Sequence, residues 1–209
     1  MNPKTARQLL TSRSNRLAGE VLAALKRGEP TAFIRILLKA GASDTFLLRD
    51  DRRQRSQLKA VHLLDELLSG ESLKHLTSEQ RLAYFGVLLD HGFPQGDSGW
   101  RRNLFARVYS QAVRDLQSDA VAFAEVLSKS GRYPIAVWAH RHADWARSED
   151  TLNAAISLGL DPTFPGLLET ATSAMESEPD PASRAARADV ITRIAGGSAT
   201  PAIAAAFPG

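Results

Sequence analysis

His140-Arg141-His142-Ala143-Asp144 is the one stretch of this chain whose residue types suggest metal chemistry. Imidazole and carboxylate groups hold zinc when at least three of them converge on one point. On a helix, His140 and Asp144 would share a face while His142, two residues from each, would point elsewhere. The spacing therefore predicts a partly exposed i,i+4 pair and no metal site. The other histidines, His62, His75 and His91, suggest no such cluster. Cysteine is absent, which removes disulfides, thiolate nucleophiles and cysteine-based zinc sites together. No cofactor is expected, because the chain has no phosphate-binding glycine loop, Gly-x-Ser-x-Gly, His-Glu-x-x-His or EF-hand. Asp65, Glu66, Asp90 and Asp144 could supply a carboxylate pair, but nothing in their spacing selects two of them. An enzyme would have to use an unrecognised site, with His140 or His142 the groups to try.

Two other constellations could bind rather than react. Arg49-Asp50-Asp51-Arg52-Arg53-Gln54-Arg55 mixes both signs at an expected helix start. One reading is a solvated turn with aspartates near the positive helix end. The other makes Arg52, Arg53, Arg55 and Lys59 a patch for phosphate or an acidic partner. Trp138 lies in an apolar stretch and reads as core. Trp100 follows the Gly-rich loop Phe93 to Gly99 and precedes Arg101-Arg102. Trp and Arg are enriched in interface hot spots, although a Trp covering the end of the next hairpin has the same signature.

The elements that position these residues read as helices. Leu17, Val21, Leu22 and Leu25 make one apolar stripe, ended by Gly28, and Phe33, Ile34, Leu37 and Leu38 make a second, ended by Gly41. So short a connection makes an antiparallel helical hairpin. A partly apolar connector, Ala42 to Asp51, leads to a helix expected from about Arg53 to Leu68. Thr77 with Gln80 has the spacing of a capping box before a helix that stops at Gly92. Further helices are expected from Trp100 to Leu116, over Val121 to Leu127, from Pro134 to about Trp145, from Asp150 or Thr151 to Leu158, over Leu167 to Met175 and over Ser183 to Ile194. No strand is expected. The fold class is therefore all-α, with a helical domain over 1–177 and a C-terminal helix and Ala-rich tail over 178–209.

A phrase of two apolar residues, a spacer and a glycine ends several of these helices, at Gly41, Gly70, Gly92, Gly131 and Gly159, and Gly196 is read as a further stop. The mean interval is about that of ankyrin-type repeats. Leu22 to Ser43 resembles an ankyrin repeat, with Ala23-Ala24 in the first helix, Gly28 at the turn, Leu37-Leu38 in the second helix and Gly41-Ala42-Ser43 at its end. Ala83 to Pro94 and Ala154 to Pro162 resemble parts of two more. The Thr-Pro-Leu-His opening of the family is absent and the intervals are irregular. The resemblance implies a stack of antiparallel helical hairpins, an irregular ankyrin-like solenoid; an irregular α-helical bundle is the alternative.

Such solenoids bind partners on their loops and adjoining helices. The resemblance then implies a non-catalytic protein–protein interaction module with fingers at Ala42 to Asp51, Phe93 to Arg102 and Leu160 to Pro165. Phe46, Phe93, Trp100, Arg101 and Phe164 are the expected contact residues. A nucleic-acid-binding protein using Arg52 to Lys59 and Arg101-Arg102 is the second reading, and an enzyme the third. The 209 residues, 44% apolar and 23% charged with a net charge of +3, suit a globular protein but show no one-signed face that would demand nucleic acid. No signal-peptide pattern and no apolar run of spanning length is read, so a cytoplasmic location is expected, with secretion by a route without a cleaved signal left open. Abundant Ala, Arg and Leu resemble bacterial usage. An effector, a toxin-neutralising protein and an adaptor all fit, and the oligomeric state is unread.

Overall fold

The computed structural model describes residues 3–50, 57–69, 73–94, 99–115 and 118–197; at 3–12, 46–50, 57–61, 69, 99–101, 118 and 197 it describes the backbone alone. The chain is α-helical in class, with ten α-helices and one β-hairpin among the described residues. It divides into two compact units, Met1–Arg101 and Arg102–Gly209. No helix of the described residues is long and apolar enough to cross a membrane.

The first unit opens with α1 (Pro3–Lys26) and α2 (Thr31–Lys39), which pack on each other. Val21, Leu22 and Leu25 of α1 and Ile34 and Leu38 of α2 are buried as their stripes imply, with Ala18 beside them, whereas Leu17 and Leu37 are half-buried and Phe33 of the second stripe is exposed. Next come β1 (Thr45–Asp50) and β2 (Gln57–His62), then α3 (Leu63–Ser69) and α4 (Ser78–Asp90). The hairpin corrects two expectations at once. The connector from Ala42 is half strand, and the helix expected from Arg53 begins ten residues later, at Leu63. β1 and β2 are antiparallel, from Thr45 opposite His62 to Asp50 opposite Gln57. Leu58 and Val61 are three apart and so mimic a helical stripe, whereas a strand depends on a distant partner that no local pattern shows. At the hairpin's base the Leu63 N–H donates to the Asp44 carbonyl at 3.0 Å, and Thr45 Oγ1 lies 3.0 Å from His62 Nδ1. Thr77 and Gln80 form the capping box expected before α4.

The glycine phrase has a local cause. After α2 the Gly41 N–H donates to Leu38 O and the Ala42 N–H to Leu37 O; after α4 the same pair runs from Gly92 to Leu89 and from Phe93 to Leu88. This is a Schellman ending, in which the residue past the cap turns left-handed and the next one folds onto the helix. Gly41 has φ 98° and Gly92 φ 95°, values that L side chains rarely adopt. Gly159 and Leu160 repeat the pattern on the second unit. The residues after these glycines, Ala42, Phe93 and Leu160, are all buried. Gly196 departs from the set, because α10 continues through it to Gly197. Gly70 lies outside the described residues.

The second unit carries α5 (Gly99–Asp115), whose first three residues precede the division, then α6 (Ser118–Lys129) and α7 (Ile135–Ala139). A short 3-10 helix (Ala143–Ala146), α8 (Glu149–Ser157), α9 (Leu167–Glu176) and α10 (Pro181–Gly197) follow. The helix expected from Pro134 to Trp145 stops at Ala139. Trp145 folds back instead, and its indole N–H donates to the Ala139 carbonyl at 3.0 Å, satisfying a helix-end acceptor. Ser148, rather than Asp150 or Thr151, caps α8, in a reciprocal pair with Thr151. α10 packs on α9, so the expected boundary at 177 falls between two helices of one unit. The buried Arg187 of α10 donates to the Ala143 carbonyl at 2.9 Å and pairs with Glu178 at 3.4 Å. The Ala-rich tail, 198–209, lies outside the described residues.

Candidate interaction surface

The expected contact residues meet different fates. Phe93 is 0% exposed and belongs to the core. It follows Gly92 in the Schellman ending of α4, where an apolar residue clasps back onto the helix. The loop position that made it look available is the position that buries it. Trp100 and Arg101 stand in the first turn of α5, the helix expected from Trp100, and Phe46 stands in β1; their side chains lie outside the described residues. Arg52, Arg53 and Arg55 lie outside them entirely. Lys59 sits in β2, not on the helix its patch required, and its side chain is likewise outside.

Phe164 alone of the five is described as a surface group, 45% exposed. Asp161-Pro162-Thr163 sets it in place. The Asp161 carboxylate accepts from the Thr163 N–H at 2.9 Å and from its hydroxyl at 2.6 Å, and the Phe164 N–H donates to the Asp161 carbonyl at 3.1 Å. An Asp side chain bonding two residues ahead is a common turn device. The His140 ring meets Phe164 edge-on, with centroids 5.4 Å apart. Gly166 makes room for that contact: a Cβ there would come 2.9 Å from His140 Cε1, and its φ of 85° disfavours any side chain. Val137, one turn before His140 on α7, and Leu168, in the first turn of α9, are also exposed. Val137, Phe164 and Leu168 are thus the exposed large apolar side chains of this unit among the described residues, and the His140–Phe164 contact joins the end of α7 to the loop before α9.

The i,i+4 spacing of His140 and Asp144 does not place them on one helix. His140 caps the end of α7 instead, and His142 is extended between that cap and the 3-10 helix. The two groups therefore share no helix face, and Asp144 pairs with Arg147 at 3.1 Å. No group of three metal-binding side chains occurs among the described residues.

Beneath α7 lies an aromatic cluster. The rings of Phe105 and Tyr109 from α5 lie 5.8 and 6.3 Å from that of Tyr133, and Trp138 lies 5.5 Å from Tyr109. The Tyr109 hydroxyl donates to the Tyr133 carbonyl at 2.9 Å, and the Trp138 indole N–H to Ser110 Oγ at 3.2 Å. Burial pushes the Tyr109 phenol far above its ordinary range, with a Ser128 hydrogen bond opposing and Tyr133 adding to the rise. Burial likewise raises Tyr133, while the charges of Arg141 and Arg102 draw it back. The Tyr133 hydroxyl is buried without a hydrogen-bond partner. Trp138 lies in the core as its apolar stretch implies, and Tyr133, between Gly131 and Pro134, joins it without an apolar stripe to announce it.

Compared with known proteins, the chain matches no family model, no curated sequence and no solved structure.

Proposed function

We propose that the chain is a non-catalytic protein-interaction module, its helical hairpins stacked in an irregular ankyrin-like manner. The β1–β2 hairpin supports the stacking, because it extends after the first helix pair, where the resemblance puts a finger. The surface around Phe164 carries the functional reading. Three large apolar side chains, Val137, Phe164 and Leu168, stay in solvent there on a framework that Gly166 and Asp161 hold fixed. Exposed apolar groups gathered on one rigid surface mark binding sites, and an aromatic anchor contributes most of the energy at such places. Protein captured by the native chain should be lost with a Phe164→Ser/Leu168→Ser variant whose circular dichroism is unchanged. Equal capture by both would overturn this surface assignment.

A further inference from the structure

We propose that the outer face of α5 is a docking stripe for an extended acidic peptide. Every residue from Leu104 to Val113 is buried except Arg107 and Gln111, so the helix meets solvent along one narrow strip. Asn103, Arg107, Gln111 and Arg114 are the exposed side chains of that strip. Their intervals of four, four and three residues put them on one helix face. The strip runs about 16 Å along the axis, and all of it belongs to the second unit.

The strip lacks the chemistry of a merely solvated helix face. Such faces gain from Glu and Lys four residues apart, as Glu125 and Lys129 of α6 do at 3.4 Å. The neighbours of Arg107 at that spacing are the neutral amides Asn103 and Gln111, and no carboxylate stands between Asn103 and Arg114. Asn is also a weak helix former, so its place within α5 has a local cost. The Arg114 Nε–H donates to the Ser110 carbonyl at 2.9 Å, which steadies the side chain and leaves the rest of its fork for a ligand. Guanidinium groups with no acid among them complement a carboxylate-bearing partner. The amides set the form of that partner, because each offers a donor and an acceptor and so matches the N–H and C=O of a peptide group. Positions four apart on α5 rise about 6 Å. An extended chain repeats every second residue, at about 6.6 Å. A strand laid along α5 therefore meets Asn103 and Gln111 with its backbone and Arg107 and Arg114 with acidic side chains. The strip uses none of Val137, Phe164 or Leu168 and does not rest on the surface proposed above.

Fluorescence anisotropy with the full chain at constant ionic strength tests it. The probes are an end-blocked octapeptide of alternating Glu and Thr, the same peptide with N-methylated backbone amides, an alternating Lys–Thr peptide and a short DNA duplex. The Glu–Thr peptide should bind saturably and the Lys–Thr peptide should not. N-methylation should weaken binding about tenfold, because it removes the backbone donors that the amides receive. Arg107→Gln and Arg114→Gln should each weaken it about tenfold, and Asn103→Ala and Gln111→Ala by less, since charged donors make the stronger bonds. Circular dichroism reports whether each variant is folded, and all four positions are exposed. Phe164→Ser/Leu168→Ser should leave peptide binding unchanged, which separates this strip from the Phe164 surface. The proposal fails if the Glu–Thr peptide does not saturate, if the four variants bind it undiminished, if the N-methylated peptide binds equally, or if the duplex binds more tightly through the same residues.

Discussion

The turn between α1 and α2 and the turn between α6 and α7 are built alike and furnished differently. Each leaves a helix through a glycine of positive φ, Gly28 or Gly131, and each enters the next helix behind a proline, Pro30 or Pro134. The third residue after the proline is exposed, Phe33 or Val137, and the fourth is fully buried, Ile34 or Trp138. In both turns a tyrosine hydroxyl donates to the carbonyl just before the proline: Tyr84 to Glu29 at 2.6 Å, and Tyr109 to Tyr133 at 2.9 Å. A residue before proline is held out of the helical conformation, so a sheltered carbonyl there needs a partner from elsewhere. Tyr84 comes from a later helix and Tyr109 from an earlier one, so one physical need is met in opposite chain order. The residue before the proline differs too. Glu29 is half-buried and pairs with Arg27 at 3.0 Å, whereas Tyr133 is buried among aromatic rings with its hydroxyl unspent. The first turn is finished; the second retains an unmatched donor.

Substitutions should separate the two turns by degree. Trp138→Ala is expected to cost about 3–5 kcal/mol and Ile34→Ala about 2–5 kcal/mol, read as urea midpoints. A mild Trp138→Ala would deny that the second turn rests on its aromatic cluster. Tyr109→Phe and Tyr84→Phe should each cost about 1–2 kcal/mol, with Tyr109 the larger because its bond is the more deeply buried. Equal stability of either variant and the native chain would remove the bracing role of that hydroxyl. The smallest effect is confined to the first unit. Burial lowers the pKa of His62 from 6.5, with Asp44 and Asp65 opposing. Unfolding therefore takes up a proton, and the stability that His62 contributes is complete above pH 6.5 and lost as pH falls through the folded value. The urea midpoint should drop between pH 7.5 and 5, and His62→Gln should flatten that drop.

Much of the helical framework was legible in the sequence because its signals are local. Thr77 with Gln80, the stripe Leu17 to Leu25 and the glycines at 41, 92 and 159 each act within one or two turns of chain. The β-hairpin was hidden because Leu58 and Val61 find their conformation through partners on another strand, Arg49 and Phe46, beyond the reach of a local pattern. The early end of α7 was hidden because Trp145 reaches back to Ala139, a contact that helical periodicity smooths over. At the surface, Phe164 was legible as a loop aromatic, and Phe93 was misread by the same reasoning. What distinguishes them is their order relative to a glycine. Phe93 follows Gly92 and is clasped onto α4, while Phe164 precedes Gly166 and is held outward by Asp161. Phe93→Ala should accordingly cost about 3–5 kcal/mol, whereas Phe164→Ala should stay within about 1 kcal/mol of the native chain.

The second unit's surface is the working one in this account, and site-specific photo-crosslinking tests that most directly. A photoreactive phenylalanine analogue would replace Phe164 in one protein and Phe33, the exposed residue of the first turn, in another, each in cells that make the chain. Position 164 should give a discrete adduct with another polypeptide, reduced by Leu168→Ser, and position 33 should give none. Equal adducts from both positions, or none from 164, would contradict the account.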